Sequence, residues 1–134
     1  MTDPYEIVRQ LLSVASNSFL THLGGSYFSP DVVPSGFTNT HKAVVYHVDG
    51  GDLHVSGSLH SPTIVFKCYG GTQHASDARE VALALVDYLQ VQKAVALTEG
   101  QFHKATLSQF FAGPPDPQGW PVFTARFAIT TEGI

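Results

Sequence analysis

The fold of this chain is decided by residues 63–92, which read TIVFKCYGGTQHASDAREVALALVDYLQVQ. The first seven residues alternate in type as the residues of a half-buried β-strand do, so a strand is predicted over Thr63–Tyr69. One set of alternating side chains is expected to face the core: Ile64, Phe66 and Cys68. The other set is expected on the opposite face of the sheet: Thr63, Val65 and Lys67.

A glycine turn and a helix follow this strand. Gly70 and Gly71 break the strand, and a helix capped by Thr72 or Ser76 is predicted over about Asp77–Gln92. Its apolar positions recur at helical spacing but also extend beyond one face. Such a helix is covered on more than one side, either by another helix of the same chain or by a neighbouring subunit.

The first half of the chain contains a helix, a loop, a strand and a long connection. The helix is predicted over Pro4–Phe19, with Asp3 as its N-cap and Glu6 completing a capping-box pattern. The loop, 26–40, contains two prolines and is followed by a β-branched strand over 43–48. Segment 49–61, rich in glycine and aspartate, is interpreted as an exposed connection or a mobile hairpin arm.

The sequence of the last third of the chain predicts a β-hairpin with strands over His103–Phe111 and Val122–Thr130. Its connection, Gly113–Gly119, holds three prolines and fits neither a helix nor a central strand. The predicted fold is therefore α+β, in a single domain over residues 1–134. It consists of a mostly antiparallel sheet with two helices on one face and long loop arms.

Composition predicts a weakly charged surface. The chain has 134 residues, of which 43% are apolar and 13% are charged, and its formal net charge is −4. Soluble domains average about 25% charged residues, so this surface is poorly defended against association with other protein. The seven basic residues are scattered, which argues against a basic face for nucleic acid. Phe110, Phe111 and Trp120 could stack on bases, but they lack basic neighbours.

Histidines and aspartates cluster between His47 and His54, with Asp49 and Asp52 between them. Imidazole and carboxylate groups are suitable ligands for zinc or a similar ion. The spacing matches no compact metal site, however, and the intervening glycines would hold the ligands loosely. A polar loop that happens to contain histidines is the favoured interpretation.

Two other groups of residues could form a binding or catalytic site. His74 and Asp77 lie near the glycine turn, where a helix start could receive an anion, but no phosphate-loop lysine follows. Cys68 could pair with His47 or His74 as a thiolate and imidazole, but its place in the alternation favours a core position. The sequence therefore predicts no catalytic residue, metal or cofactor.

The order of the elements carries a family likeness over residues 4–130. A strand ending in Cys68-Tyr69-Gly70 runs directly into an amphipathic helix, and a Gly119-Trp120-Pro121 turn precedes the last strand. With an opening helix and the short strand 43–46, this pattern resembles the tail terminator or tail completion proteins of long, non-contractile-tailed bacteriophages. The chain departs from them in a longer segment at 49–60 and in its proline-rich turn.

The resemblance implies a virion structural protein and no enzymatic activity. Such proteins form a homohexameric ring that caps the tail tube protein, ends tube polymerisation and presents its other side to the head completion or connector protein. DNA passes through the lumen without specific binding, in keeping with the acidic balance of the chain. The expected location is the head-proximal end of the tail, after assembly in the host cytoplasm, with no membrane partner.

Two alternatives stay open at this point. Another head–tail connector or neck protein of similar size belongs to the same structural class. A small metal-binding domain or enzyme that uses the histidine and aspartate cluster belongs to a different one.

Interface contacts are expected in the two segments rich in glycine and proline, 49–60 and 113–120, because function concentrates on such loops. The polar face of the sheet opposite the helices is a further candidate. The candidate interface residues are Asp49, Asp52, His54, Lys67, Asp116, Trp120 and Arg126.

Overall fold

One six-stranded sheet and two helices make up the described part of the chain. The computed structural model describes residues 4–13, 27–30, 42–53, 59–97, 100–115 and 119–133. The helices are α1 (Pro4–Ser13) and α2 (Ala75–Val91). The strands are β1 (Tyr27–Pro30), β2 (Lys42–Leu53), β3 (Leu59–Gly70), β4 (Val95–Ala96), β5 (Gly100–Ala112) and β6 (Val122–Gly133).

The strand order is β1-β2-β3-β6-β5-β4. Every neighbouring pair is antiparallel except β1 and β2, which run parallel. Because the sheet is mostly antiparallel and is joined by two helices, the predicted α+β class is confirmed. The predicted hairpin of β5 and β6 is confirmed as well.

The core is built on the alternation of β3. Ile64, Phe66 and Cys68 are all 0% exposed, as the period of two predicts. The Phe66 ring lies 5.5 Å from Tyr46 on β2 and packs edge-on at 5.7 Å against Phe127 on β6. These aromatic contacts join the three central strands on one face of the sheet.

Both helices cover that same face. Leu11 of α1 and Leu85 of α2 belong to one buried cluster with the inner side chains of β2, β3 and β6. The Tyr88 hydroxyl donates a buried hydrogen bond of 2.9 Å to the Leu11 carbonyl oxygen, so α1 packs beside α2. This contact helps to bury Tyr88, which belongs to the wide apolar zone of α2, whereas Leu83 remains 41% exposed.

The end of β3 lies directly against the start of α2. A side-chain carbon on Gly70 would clash with the backbone nitrogen of Ala78 and with backbone and side-chain carbons of Asp77. Only glycine therefore fits at this crossing. The predicted cap is wrong, since the N-cap residue is His74 and it makes no side-chain cap hydrogen bond. The Thr72 hydroxyl instead donates to the Asp77 carboxylate and accepts from the His74 amide.

We expect Gly70→Ala to lower the free energy of unfolding by about 3 kcal/mol or more, because the added methyl group meets rigid backbone. The measurement is urea denaturation followed by circular dichroism. The matched control is Gly113→Ala, whose methyl group would meet the rotatable Thr124 hydroxyl at 2.7 Å and should cost less. Equal stability losses in the two variants would contradict this account of the crossing.

Several sequence-based boundaries are wrong. The predicted loop 26–40 contains β1, and the short strand β4 was not predicted. The predicted connection 49–61 is largely strand, since β2 continues to Leu53 and β3 begins at Leu59. Cross-strand pairing across a β-bulge between Val48 and Gly51 keeps these glycine-rich residues in the sheet. The predicted end of the first helix at Phe19 lies outside the described residues. The Glu6 carboxylate accepts a hydrogen bond from the Arg9 side chain.

Candidate interaction surface on the sheet

The face of the sheet opposite the helices, here called the open face, holds most of the candidate residues that the structure describes. Strand register identifies its members, because directly opposed residues point to the same side. They include Val45, His47, Thr63, Val65, Lys67, Thr106, Gln109, Phe111, Thr124, Arg126 and Ala128. No helix of the described ranges packs on this face.

An ion pair crosses the open face. The Arg126 Nη2 atom of β6 lies 2.8 Å from the Asp49 Oδ2 atom of β2. Because β3 lies between these strands, the two side chains meet above it, near Val65, which is opposite Arg126. Sequence analysis selected Asp49 and Arg126 for separate reasons, and the structure brings them into direct contact.

We expect this ion pair to contribute little to stability, because the Arg126 and Asp49 side chains are 34% and 49% exposed. A double-mutant cycle with Asp49→Asn and Arg126→Gln should give a coupling of about 0.5 kcal/mol, which falls in 1 M salt. The control cycle pairs Asp49→Asn with Lys67→Gln and should give no coupling. A coupling near 3 kcal/mol would contradict the expected screening by solvent.

The open face carries both covered and exposed side chains. Val65 and Thr124 are only 7% and 6% exposed, whereas Lys67 is exposed beside them. Phe111, opposite Thr124 on β5, is 44% exposed. Aromatic side chains are enriched in protein–protein contacts. Sequence analysis considered Phe111 only for stacking on bases and missed this position.

The remaining candidate residues lie at other places along the chain. Asp52 lies in β2 opposite Ser61, and half-buried Trp120 lies just before β6. Trp120 follows Gly119, whose φ of +82° requires glycine. His54 and Asp116 lie outside the described residues.

The two predicted contact segments lie at opposite ends of the sheet. The β2–β3 connection begins beyond Leu53, which is opposite His60 near the start of β3. The β5–β6 connection begins beyond Ala112. Ala112 is opposite Phe123 of β6, and Phe123 is in turn opposite Cys68, near the end of β3. β3 has 12 residues, so at ~3.3 Å per residue its ends are roughly 35 Å apart.

The core position favoured for Cys68 is confirmed, and its alternative, a thiolate pair with His47 or His74, is excluded. Cys68 faces the core at 0% exposure, whereas His47 is opposite Val65 and therefore points to the open face. His74 is exposed at the start of α2. Burial raises the pKa of the Cys68 thiol far above its usual range, because the thiolate would lose its hydration. The thiol is therefore a small core side chain without nucleophilic reactivity.

This buried thiol predicts a loss of stability in alkali. Above about pH 8.5 the unfolded chain loses a thiol proton that the folded chain keeps, so this thiol lowers the free energy of unfolding by about 1.4 kcal/mol per pH unit. The measurement is urea denaturation between pH 8.5 and 10. The Cys68→Ala variant should lack this part of the pH dependence of the free energy of unfolding. Tyr88, whose pKa is also raised by burial, titrates in both chains. Identical slopes for the two chains would contradict the assignment.

The start of α2 offers a poor site for an anion. The Asp77 carboxylate already occupies the first turn and bonds the Thr72 hydroxyl, so a phosphate would meet like charge. Within the described ranges, no group of three His, Cys, Asp or Glu side chains could hold a metal ion. The Asp49 carboxylate of the histidine and aspartate cluster is engaged by Arg126.

A histidine and a glutamate side chain lie close together near the start of β5. The His103 Nε2 atom is buried without a hydrogen-bond partner and lies 3.8 Å from the Glu132 Oε1 atom on β6. This distance is too long for a hydrogen bond.

No helix of the described part is long and apolar enough to cross a bilayer.

Comparison with known proteins identifies a structural relative. The chain is similar to a chain in the virion of a native gene transfer agent particle, with a TM-score of 0.62 and 17% sequence identity. The match covers 97% of this chain and 95% of that chain. At this identity, the likeness establishes a shared fold over nearly the full length of both chains. No protein-family model matches the chain, and the comparison with curated proteins gave no match.

Proposed function

We propose that this chain is a structural protein of a phage or phage-like virion, and that it is the tail terminator. In this role it forms a ring on the last ring of tail tube protein, ends tube polymerisation and presents the surface to which the head attaches. The observation that carries the proposal is the full-length fold match to a virion chain, at 97% and 95% coverage. The family resemblance of the sequence supports the terminator role within that class.

The position of the two connections fits a protein with two different partners. The β2–β3 and β5–β6 connections leave the sheet at opposite ends, roughly 35 Å apart along β3. A subunit of this shape can contact the tail tube protein with one end and a head completion or connector protein with the other. Loops at the ends of a rigid sheet are where binding residues concentrate.

The charge of the chain fits assembly around DNA without binding it. A net charge of −4 and the absence of adjacent basic residues leave no strong attraction to phosphate groups. A homohexameric ring is built from one heterologous contact repeated around an axis. Subunit contacts then cover part of a surface that has few charges to oppose association.

The test is to delete the gene from the phage or prophage that encodes this chain and to measure tail lengths by electron microscopy. We expect tails of uncontrolled length that do not join heads, because nothing stops addition of tube protein. The control is the same deletion complemented by the unchanged gene, which should restore one tail length and head attachment.

Two outcomes would contradict the terminator role. Tails of normal length that fail to join heads would indicate a connector or neck protein instead. Normal particles together with a metal-dependent rise in thermal stability of the purified chain would indicate a small metal-binding domain.

A further inference from the structure

The outer edge of β5 is only partly covered. β4 pairs with Gln101 and Phe102 of β5, and the Ala94 amide bonds the His103 carbonyl oxygen at 3.0 Å. Beyond His103 the outer edge of β5 has no strand partner in the described ranges. An edge strand of this kind presents a row of unpaired backbone donors and acceptors.

The first half of this edge is protected against pairing and the second half is not. Lys104 places a charge on the edge, and β-bulges lie between Phe102 and Lys104 and between Leu107 and Gln109. Charges and bulges are two devices by which edge strands avoid other chains. The last four residues of β5, Gln109–Ala112, have neither a charge nor a bulge. We call this four-residue segment the free edge.

Two of the four residues of the free edge point their backbone groups away from the sheet. The Gly113 amide donates to the Val122 carbonyl oxygen of β6 at 3.0 Å, so Gly113 points its backbone groups inward. Successive residues of a strand point their backbone groups to opposite sides, so those of Phe110 and Ala112 point outward. Phe111, between them, adds an apolar side chain that is 44% exposed.

The other edge of the sheet offers a strand of matching length. β1 covers four residues, Tyr27–Pro30, and within the described ranges it is the terminal strand on that side. It runs parallel to β2, and the successive pairings from β2 through β3 and β6 to β5 are all antiparallel. The direction of β1 is therefore opposite to that of β5.

This difference in direction suits a ring. Copies related by rotation about an axis along the strands keep their strand directions, so β1 of one copy would lie antiparallel to β5 of the next. Antiparallel pairing is the slightly more stable kind. Joining two different edges is a heterologous contact, which closes into a ring when the rotation allows.

We propose that the free edge of one copy pairs with β1 of a second copy of this chain, extending the sheet from subunit to subunit. The proposal rests on the ring assembly given above as the proposed function and identifies the backbone contact within it. No like charges oppose one another at this contact, because Tyr27–Pro30 and the free edge contain no charged residue.

The first test measures self-association by sedimentation velocity. The Phe111→Lys variant places a charge on the free edge. The Ala112→Pro variant removes a backbone N–H group that points outward, so no hydrogen bond to β6 is lost. Each variant should weaken self-association at least about fivefold. The matched control is Leu83→Lys on α2, where the lost side chain is 41% exposed, and it should assemble like the unchanged chain. Edge variants that stay folded by circular dichroism and assemble normally would overturn the proposal.

The second test identifies the partner strand by crosslinking and does not depend on those variants. Ser29→Cys chains are mixed with Gln109→Cys, Phe111→Cys or Ala112→Cys chains and exposed to mild oxidation. The natural thiol, Cys68, is buried and does not compete. We expect a disulfide between the two kinds of chain in at least one mixture. Crosslinks of the β5 variants only with themselves would mean β5–β5 pairing and would overturn the proposal.

The two proposals can fail separately. If gene deletion abolishes tail-length control but assembled particles give no crosslink between Ser29→Cys and the β5 variants, the edge contact is wrong and the terminator role stands. If the crosslink forms but deletion leaves tail length unchanged, the edge contact stands and the terminator role is wrong.

Discussion

The packing of Phe66 on β3 is the contact on which the rest of the structure depends. Its ring contacts Tyr46 on β2 and Phe127 on β6, so one buried side chain joins the three central strands. At the end of the same strand, Gly70 allows the backbone of α2 to pass at close range. Both helices of the described part pack on this one face, and neither covers the opposite face of the sheet.

The covering of one face of the sheet by both helices bears on which surfaces can contact other proteins. A sheet covered by helices on one face keeps a second face, two edges and two ends available for assembly. On the open face, Asp49 and Arg126 satisfy each other, so this pair is poorly suited to catalysis or metal binding. Among the described residues, the features that offer contacts to partners are the exposed ring of Phe111 and the edge of β5 beyond His103, which has no strand partner there.

Much of the fold could be predicted, because its signals are local. The alternation of β3 and the glycine turn before α2 are visible in neighbouring residues. The exposure of Phe111 was not predicted, because the β-bulge between Leu107 and Gln109 reverses the alternation that Ala105 and Leu107 begin. Without that reversal, Phe111 would share the core face with Leu107. In the structure Phe110 takes that face and packs 4.5 Å from Phe123. The extension of β2 through a glycine-rich segment was missed because pairing with β3 overrides local propensity.

By itself, the sequence determined the α+β class, the core face of β3, the hairpin of β5 and β6 and the low surface charge. These follow from periodicity, breakers and composition, which act over short distances along the chain. Only the tertiary structure decided that Asp49 meets Arg126, that the two candidate segments leave opposite ends of the sheet, and which strands lie at the edges among the described residues. These depend on strand order and register, which form between residues far apart in sequence and leave no local signal.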